Sequence, residues 1–234
     1  MNNKVLNVVS NLLVLLCMVS TTMQAVAENE SMTKEELEEW FRSDQETVDP
    51  IKLINEGELV FLSKKPERQA HQAKHLITIL PDSLVDGWVK LYQCHENLDV
   101  MPAAQVVFMN KRVRKLKVIS SKNIDKTWVE QDTVQMKKIA RDASLCIELE
   151  TRAFWKNADG SYSLRTGPYQ RRFLDGYFPV RLLLDIKYPG KELLFKGVLP
   201  ESQAGFSVKQ KSNVVNINAL FEGRLHVVVT FVQK

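Results

Sequence analysis

Residues 88–94 read Trp88-Val89-Lys90-Leu91-Tyr92-Gln93-Cys94, and the stretch 144–154 opens Ser144-Leu145-Cys146-Ile147-Glu148-Leu149-Glu150 before Thr151, Arg152, Ala153 and Phe154. Both alternate at a period of two, the spacing of a strand with one face buried and one wet. Val89 and Leu91 take the buried face of the first run, which sends Trp88, Lys90, Tyr92 and Cys94 to the other side. In the second run Leu145, Ile147 and Leu149 point inward, so Cys146 shares the outward register with Glu148, Glu150 and Arg152. Neighbouring antiparallel strands bring opposed Cα atoms within ~4.5–5.5 Å, a span a disulfide can bridge, whereas a staple between stacked sheets needs inward-facing cysteines. A cross-strand Cys94–Cys146 disulfide on the outward face is therefore predicted.

The same texture extends in both directions. Glu58 to Leu62, His75 to Leu80, Gln105 to Met109, Lys115 to Ser120 and Lys126 to Glu130 are short runs with strand composition. Val180 to Lys187, Leu193 to Val198, Val214 to Leu220 and Leu225 to Val232 continue it to the end. Asp86-Gly87, Asp159-Gly160, Asp175-Gly176 and Pro189-Gly190 supply the residues that tight reversals need. The spacing predicts an all-β fold, an antiparallel immunoglobulin-like β-sandwich. It is organised either as one sandwich or as two packed modules, residues 57–165 and 166–234.

The N-terminus has a different grammar. Lys4, an apolar core from Leu12 to Val19 and the exit Ala25-Val26-Ala27 are the three parts of a secretory signal peptide, with cleavage expected after Ala27. The alternative is a retained anchor, since Val5 to Ala27 is uncharged and long enough to span a bilayer; Asn7, Ser10, Asn11 and Gln24 count against it. The expected compartment is the periplasm or the exterior. Cys17 leaves with the leader, so Cys94 and Cys146 remain as a pair where thiols oxidise. Residues 28–56 read as a polar tail, a short helix and a linker. Thr33-Lys34-Glu35-Glu36 forms a capping box, and Leu37, Trp40 and Phe41 fall on one face of the helix up to Arg42.

The whole chain has 32 Lys and Arg against 28 Asp and Glu. Without Lys4 the mature protein carries about +3, a mild charge that calls for no nucleic-acid partner and would not be repelled by an anionic envelope surface. The C-terminal run with Val180, Leu182, Leu184, Ile186, Tyr188-Pro189, Phe195, Asn216, Phe221-Glu222-Gly223 and Phe231 resembles immunoglobulin-like modules of bacterial surface proteins, cohesin-type ones included. The mature chain also resembles uncharacterised exported proteobacterial proteins at Gln93-Cys94-His95-Glu96 and at Arg171-Arg172-Phe173-Leu174-Asp175-Gly176-Tyr177. Neither resemblance implies an activity or a site.

Candidate chemistry is sparse. There is no G-x-S-x-G nucleophile motif, and a disulfide would leave no free cysteine. His71 and His75 stand four apart, but on a strand that spacing stretches to ~13 Å, and no acidic or cysteine ligand accompanies them, so a solvated loop is expected there. His95 and Glu96 are adjacent and so point to opposite faces of a strand. Asn157-Ala158-Asp159-Gly160-Ser161 resembles half a calcium loop but lacks its closing glutamate and reads as a hairpin turn.

Two surfaces remain. Lys111, Arg112, Arg114, Lys115 and Lys117 form a candidate anion patch, or else an edge strand protected by its charges. Arg171, Arg172 and Tyr177 combine forked donors with an aromatic platform, as Trp88 and Tyr92 do beside their charged neighbours, and form a candidate ligand surface. The simpler reading pairs Arg171 or Arg172 with Asp175 across a turn, and covers Trp88 and Tyr92 with the Thr33 to Arg42 helix through its Trp40 and Phe41. Together these features predict a non-enzymatic envelope protein that needs no cofactor and binds an envelope protein, a cell-wall polymer or an anionic lipid surface. The competing reading is an envelope hydrolase or metal-dependent enzyme, for which His95, Glu96, Asp175 and Arg172 would have to converge.

Overall fold

The computed structural model describes residues 55–64, 70–108 and 111–234. The expected leader and the Thr33 to Arg42 helix lie outside these residues. The described strands are β1 (Val60–Phe61), β2 (His71–Thr78), β3 (Trp88–Leu98), β4 (Met101–Val107), β5 (Val113–Glu130), β6 (Thr133–Arg152), β7 (Phe154–Lys156) and β8 (Tyr162–Tyr169). They continue as β9 (Arg172–Phe173), β10 (Gly176–Tyr177), β11 (Val180–Lys187), β12 (Leu193–Leu199), β13 (Phe206–Lys211), β14 (Val214–Glu222) and β15 (Leu225–Gln233). One helical turn, α1 (Ser83–Asp86), precedes β3. The fold is all-β.

One large sheet has the order β1-β14-β11-β2-β3-β6-β4, with β13 also paired to β14 and β5 to β6. A second has the order β12-β15-β8-β7, and β9 and β10 form a small hairpin of their own. The pairing is antiparallel except between β2 and β11, which run parallel from Val180 opposite His71 to Lys187 opposite Thr78. Parallel neighbours require a long connection, and here everything between residues 78 and 180 supplies it. Strands from either side of residue 165 share both sheets: β11 pairs with β2 in the large sheet, and in the second sheet β8, which itself runs through residue 165, pairs with β15.

The core follows from the alternation. Val180, Leu182, Leu184 and Ile186 of β11, Leu145, Ile147 and Leu149 of β6, and Leu225, Val227, Val229 and Phe231 of β15 are all buried. Burying each such side chain contributes roughly 1.5–3 kcal/mol relative to exposure. The sheets meet through aromatic contacts, with the Tyr188 ring 5.0 Å from Phe231 and the His75 ring 5.1 Å from Tyr169.

The hairpin of β5 and β6 is longer than its sequence suggests. The expected strands at 115–120 and 126–130 are one strand, and β6 starts at Thr133 instead of 144. Val107 at the end of β4 sits opposite Thr133, whereas Val113 at the start of β5 sits opposite Thr151. The 107–113 connection reaches about 20 Å at most, but the stretch 133–151 would span about 60 Å if straight. The hairpin must therefore bend back. Asn123, Lys138 and Asp142 adopt positive φ where it does so, and the Asn123 side-chain amide donates to the carbonyls of Arg141 and Asp142 across the bend.

Candidate functional site

Three histidines, unconnected by any sequence motif, meet on the inward face of the large sheet. His71 and His75 lie on one side of β2, flanking Ala73, and Ala73 is paired with His95 of β3. Diagonal neighbours on one face of a sheet are ~7–8 Å apart at Cα, so His95 reaches both, and the small Ala73 side chain leaves room. Its ring centroid is 5.1 Å from that of His71 and 5.8 Å from that of His75. The expectation of a solvated loop at 69–74 is thus corrected, because β2 begins at His71 and His75 is buried. The missing signal was the register between β2 and β3.

The hydrogen bonds fix the protons. The Gln93 side-chain amide donates to Nε2 of His95 at 2.9 Å. His95 then carries its proton on Nδ1 and donates it to Nε2 of His71, also at 2.9 Å, which leaves the His71 proton on Nδ1. Both rings are complete only when neutral. His75 is in a harder position, since neither of its ring nitrogens has a partner. It packs edge-on against His95 and against Tyr169 of β8. The Tyr169 hydroxyl is bonded to Thr166.

Electrostatics agree with this assignment. Burial, then the Arg171 guanidinium, then His75 lower the pKa of His71 to about 4. Burial and then His71 lower that of His95 to about 3, and burial followed by His95 pushes His75 well below its ordinary value. Burial raises the Tyr169 phenol. Among the described residues no three His, Cys, Asp or Glu side chains are placed to hold an ion.

Arg171 closes one side of this region. It forms a two-pronged ion pair with Asp99, in the turn between β3 and β4, and donates to the Pro179 carbonyl at 3.2 Å. Its guanidinium also lies 5.4 Å from the rings of both Phe173 and Phe178. The partner of Arg171 is thus Asp99 rather than Asp175. Arg172 stacks 5.7 Å from Tyr177 across the β9–β10 hairpin, whose tip exposes Leu174 completely.

On the opposite, outward face, Cys94 and Cys146 are direct cross-strand partners with Cα atoms 4.1 Å apart, joined as a disulfide. The register sets Trp88 against Arg152, Lys90 against Glu150 and Tyr92 against Glu148, and continues across β5 with Arg114 on Glu150, Lys117 on Glu148 and Lys122 on Ser144. The Arg114 guanidinium lies 4.2 Å over Trp88. Glu150 accepts from Lys115 at 2.8 Å and from Arg114 at 2.6 Å, bonds that lower its pKa, and Lys117 lies 3.4 Å from Glu148. The basic run is thus partly neutralised, and Arg112 is turned to Trp155 at 5.6 Å. Lys111 is exposed just before β5.

The proposed catalytic set does not assemble as a unit. His95 faces the core, while Glu96 is on the outer face in an ion pair with Lys74. Asn157 to Ser161 is the hairpin turn between β7 and β8, with Asp159 accepting from the Ser161 backbone at 3.0 Å.

No family model matches this chain, and no curated protein does. Among solved structures, one M1 zinc metallopeptidase from Deinococcus radiodurans, bound to a tyrosine-serine-alanine substrate, is similar at 8% identity with a TM-score of 0.37. That alignment covers 69% of this chain and 42% of the other. A two-domain M1 zinc metallopeptidase bound to L-tryptophan gives 9% identity and a TM-score of 0.34 over 75% and 44%. The chain spans less than half the length of these proteins, and a likeness this remote identifies no shared site or activity.

Proposed function

We propose that this is an exported, non-enzymatic binding protein of the cell envelope that holds an anionic wall polymer on the outward face of its large sheet. The carrying observation is the composition of that face. Along β2, β3, β6 and β5 it presents Lys74, Lys90, Arg114, Lys117, Lys122 and Arg152 against Glu96, Glu148 and Glu150, so cations outnumber carboxylates. Half-exposed Tyr92 and the Arg114-capped Trp88 lie among them. Aromatic rings give sugar rings an apolar platform, and spaced cations attract an acidic chain over ~8–10 Å. The Cys94–Cys146 bond ties together the two strands that carry most of this surface and suits an oxidising compartment.

The enzyme reading needs His95 and Glu96 in one pocket, and their opposite orientations count against it. A polymer is favoured over a bilayer because the strip carries no projecting cluster of apolar side chains to insert. The test is co-sedimentation with purified cell-wall fragments and, separately, with anionic lipid vesicles, at low and high salt. Salt-sensitive retention on wall fragments is expected, weakened at least tenfold by the combined change Lys90→Glu, Lys117→Glu and Lys122→Glu. Retention that ignores both salt and the charge reversals, or that occurs on vesicles alone, would overturn the proposal.

A further inference from the structure

The histidine cluster lies on the face opposite the proposed binding surface and plays no part in it. Buried polar groups in folded proteins are nearly always paired, so three imidazoles packed edge to face, one with both nitrogens unpartnered, call for a reason. Each ring is tolerated only while uncharged. A proton added to Nε2 of His71 would confront the Nδ1 proton of His95. One added to Nε2 of His95 would confront the Gln93 amide. One added to His75 would place a cation among rings with no acceptor in reach. The cluster also spans two layers, since β2 and β3 belong to the large sheet and Tyr169 to the second.

We propose that His71, His75 and His95 form an acid-released latch, holding the β2–β3 region of the large sheet against the end of β8 while all three rings are neutral and letting that seam part when they charge. The groups facing the latch do not oppose release. From β11, Val180 and Leu184 stand opposite His71 and His75. From β3, Gln93 and His95 face it, and from β8, Tyr169 and Thr166. The nearby cation, Arg171, repels any charge gained by His71, and the carboxylate beside it, Asp99, is engaged by that arginine. One charged ring raises the cost of charging the next, yet once the seam opens water can solvate all three, so release should take up several protons together. The disulfide between β3 and β6 lies on the far face and confines the opening.

The full mature chain would be titrated from about pH 7 to about pH 3 with near-ultraviolet circular dichroism, and hydrogen exchange would be mapped by mass spectrometry at each step. A reversible transition taking up more than one proton is expected, with exchange rising first in β2 and the end of β8 while β3 and β6 near Cys94 and Cys146 stay protected. His75→Phe, which keeps a ring and removes the titration, should fold at neutral pH and shift the midpoint down by about half a pH unit or more. His95→Gln provides a second variant with the same expected direction. An acid transition with the same midpoint and proton uptake in both variants, or loss of all protection at once, would overturn the latch.

Discussion

Ala73 and Gln93 decide what the three histidines can be. One is small enough to let His95 lie between His71 and His75, and the other fixes which nitrogen of His95 is bare. Arg171 tunes the arrangement from outside. Replacing it by Gln removes the second-largest cause of the lowered His71 pKa, so that value should rise from about 4 toward the ordinary range while burial still holds it below 6.5. Two-dimensional NMR titration of the imidazole protons reads this directly, and an unchanged His71 would show that the guanidinium is too distant to matter. At the same scale, Leu145 and Leu174 are opposites. Leu145→Ala should cost about 2–5 kcal/mol in urea unfolding because the side chain is fully buried. Leu174→Ser, at the exposed hairpin tip, should change stability by less than about 0.5 kcal/mol.

At the level of the elements, period-two alternation in β3, β6, β11, β14 and β15 was legible, because each buries one face and the parity of a strand follows from very few apolar residues. That parity also placed Cys94 and Cys146 outward and opposite each other. What the sequence hid has particular causes. β8 carries Gly167-Pro168 near its end, turn residues that mask a strand. The early half of β6 reads Lys137-Lys138 and Arg141-Asp142 where bulges break the alternation. The histidine cluster depends on register between two strands, which no local pattern records. Two predictions belong here. Replacing both cysteines by serine closes no loop across a sequence separation of 52 and should lower unfolding stability by about 4 kcal/mol, with the β3–β6 ladder still formed by amide exchange. Gly223 has positive φ, and an added Cβ would run into the Glu58 carbonyl. Gly223→Ala should therefore destabilise by more than the ~1 kcal/mol of an ordinary glycine change, and thermal unfolding measures it.

For the whole molecule, the two faces of the large sheet carry separate properties: a wet basic face tied by the disulfide, and an inward face whose polar centre must stay uncharged. The inward face makes stability depend on pH. Because His71 and His95 titrate near 4 and 3 when folded and near 6.5 when unfolded, the unfolded chain binds protons first as pH falls. The contribution of these rings is complete above about pH 6.5 and declines below it, by roughly 2 kcal/mol for each ring at about pH 5. That loss is a large part of the ~5–15 kcal/mol that holds a domain folded. Melting temperature should accordingly drop steeply between about pH 6 and pH 4, and a flat profile there would contradict neutral, buried histidines.

The outward face is tested most directly by lysine footprinting. The mature protein would be acetylated with and without purified cell-wall fragments at low salt, and each lysine's modification rate compared by mass spectrometry. Protection should concentrate on Lys90, Lys117 and Lys122, which are exposed on β3 and β5, and should vanish at high salt, leaving Lys191 and Lys196 near or on β12 unaffected. Equal rates at all five lysines in the presence and absence of fragments, or protection confined to Lys191 and Lys196, would contradict a binding surface on the large sheet.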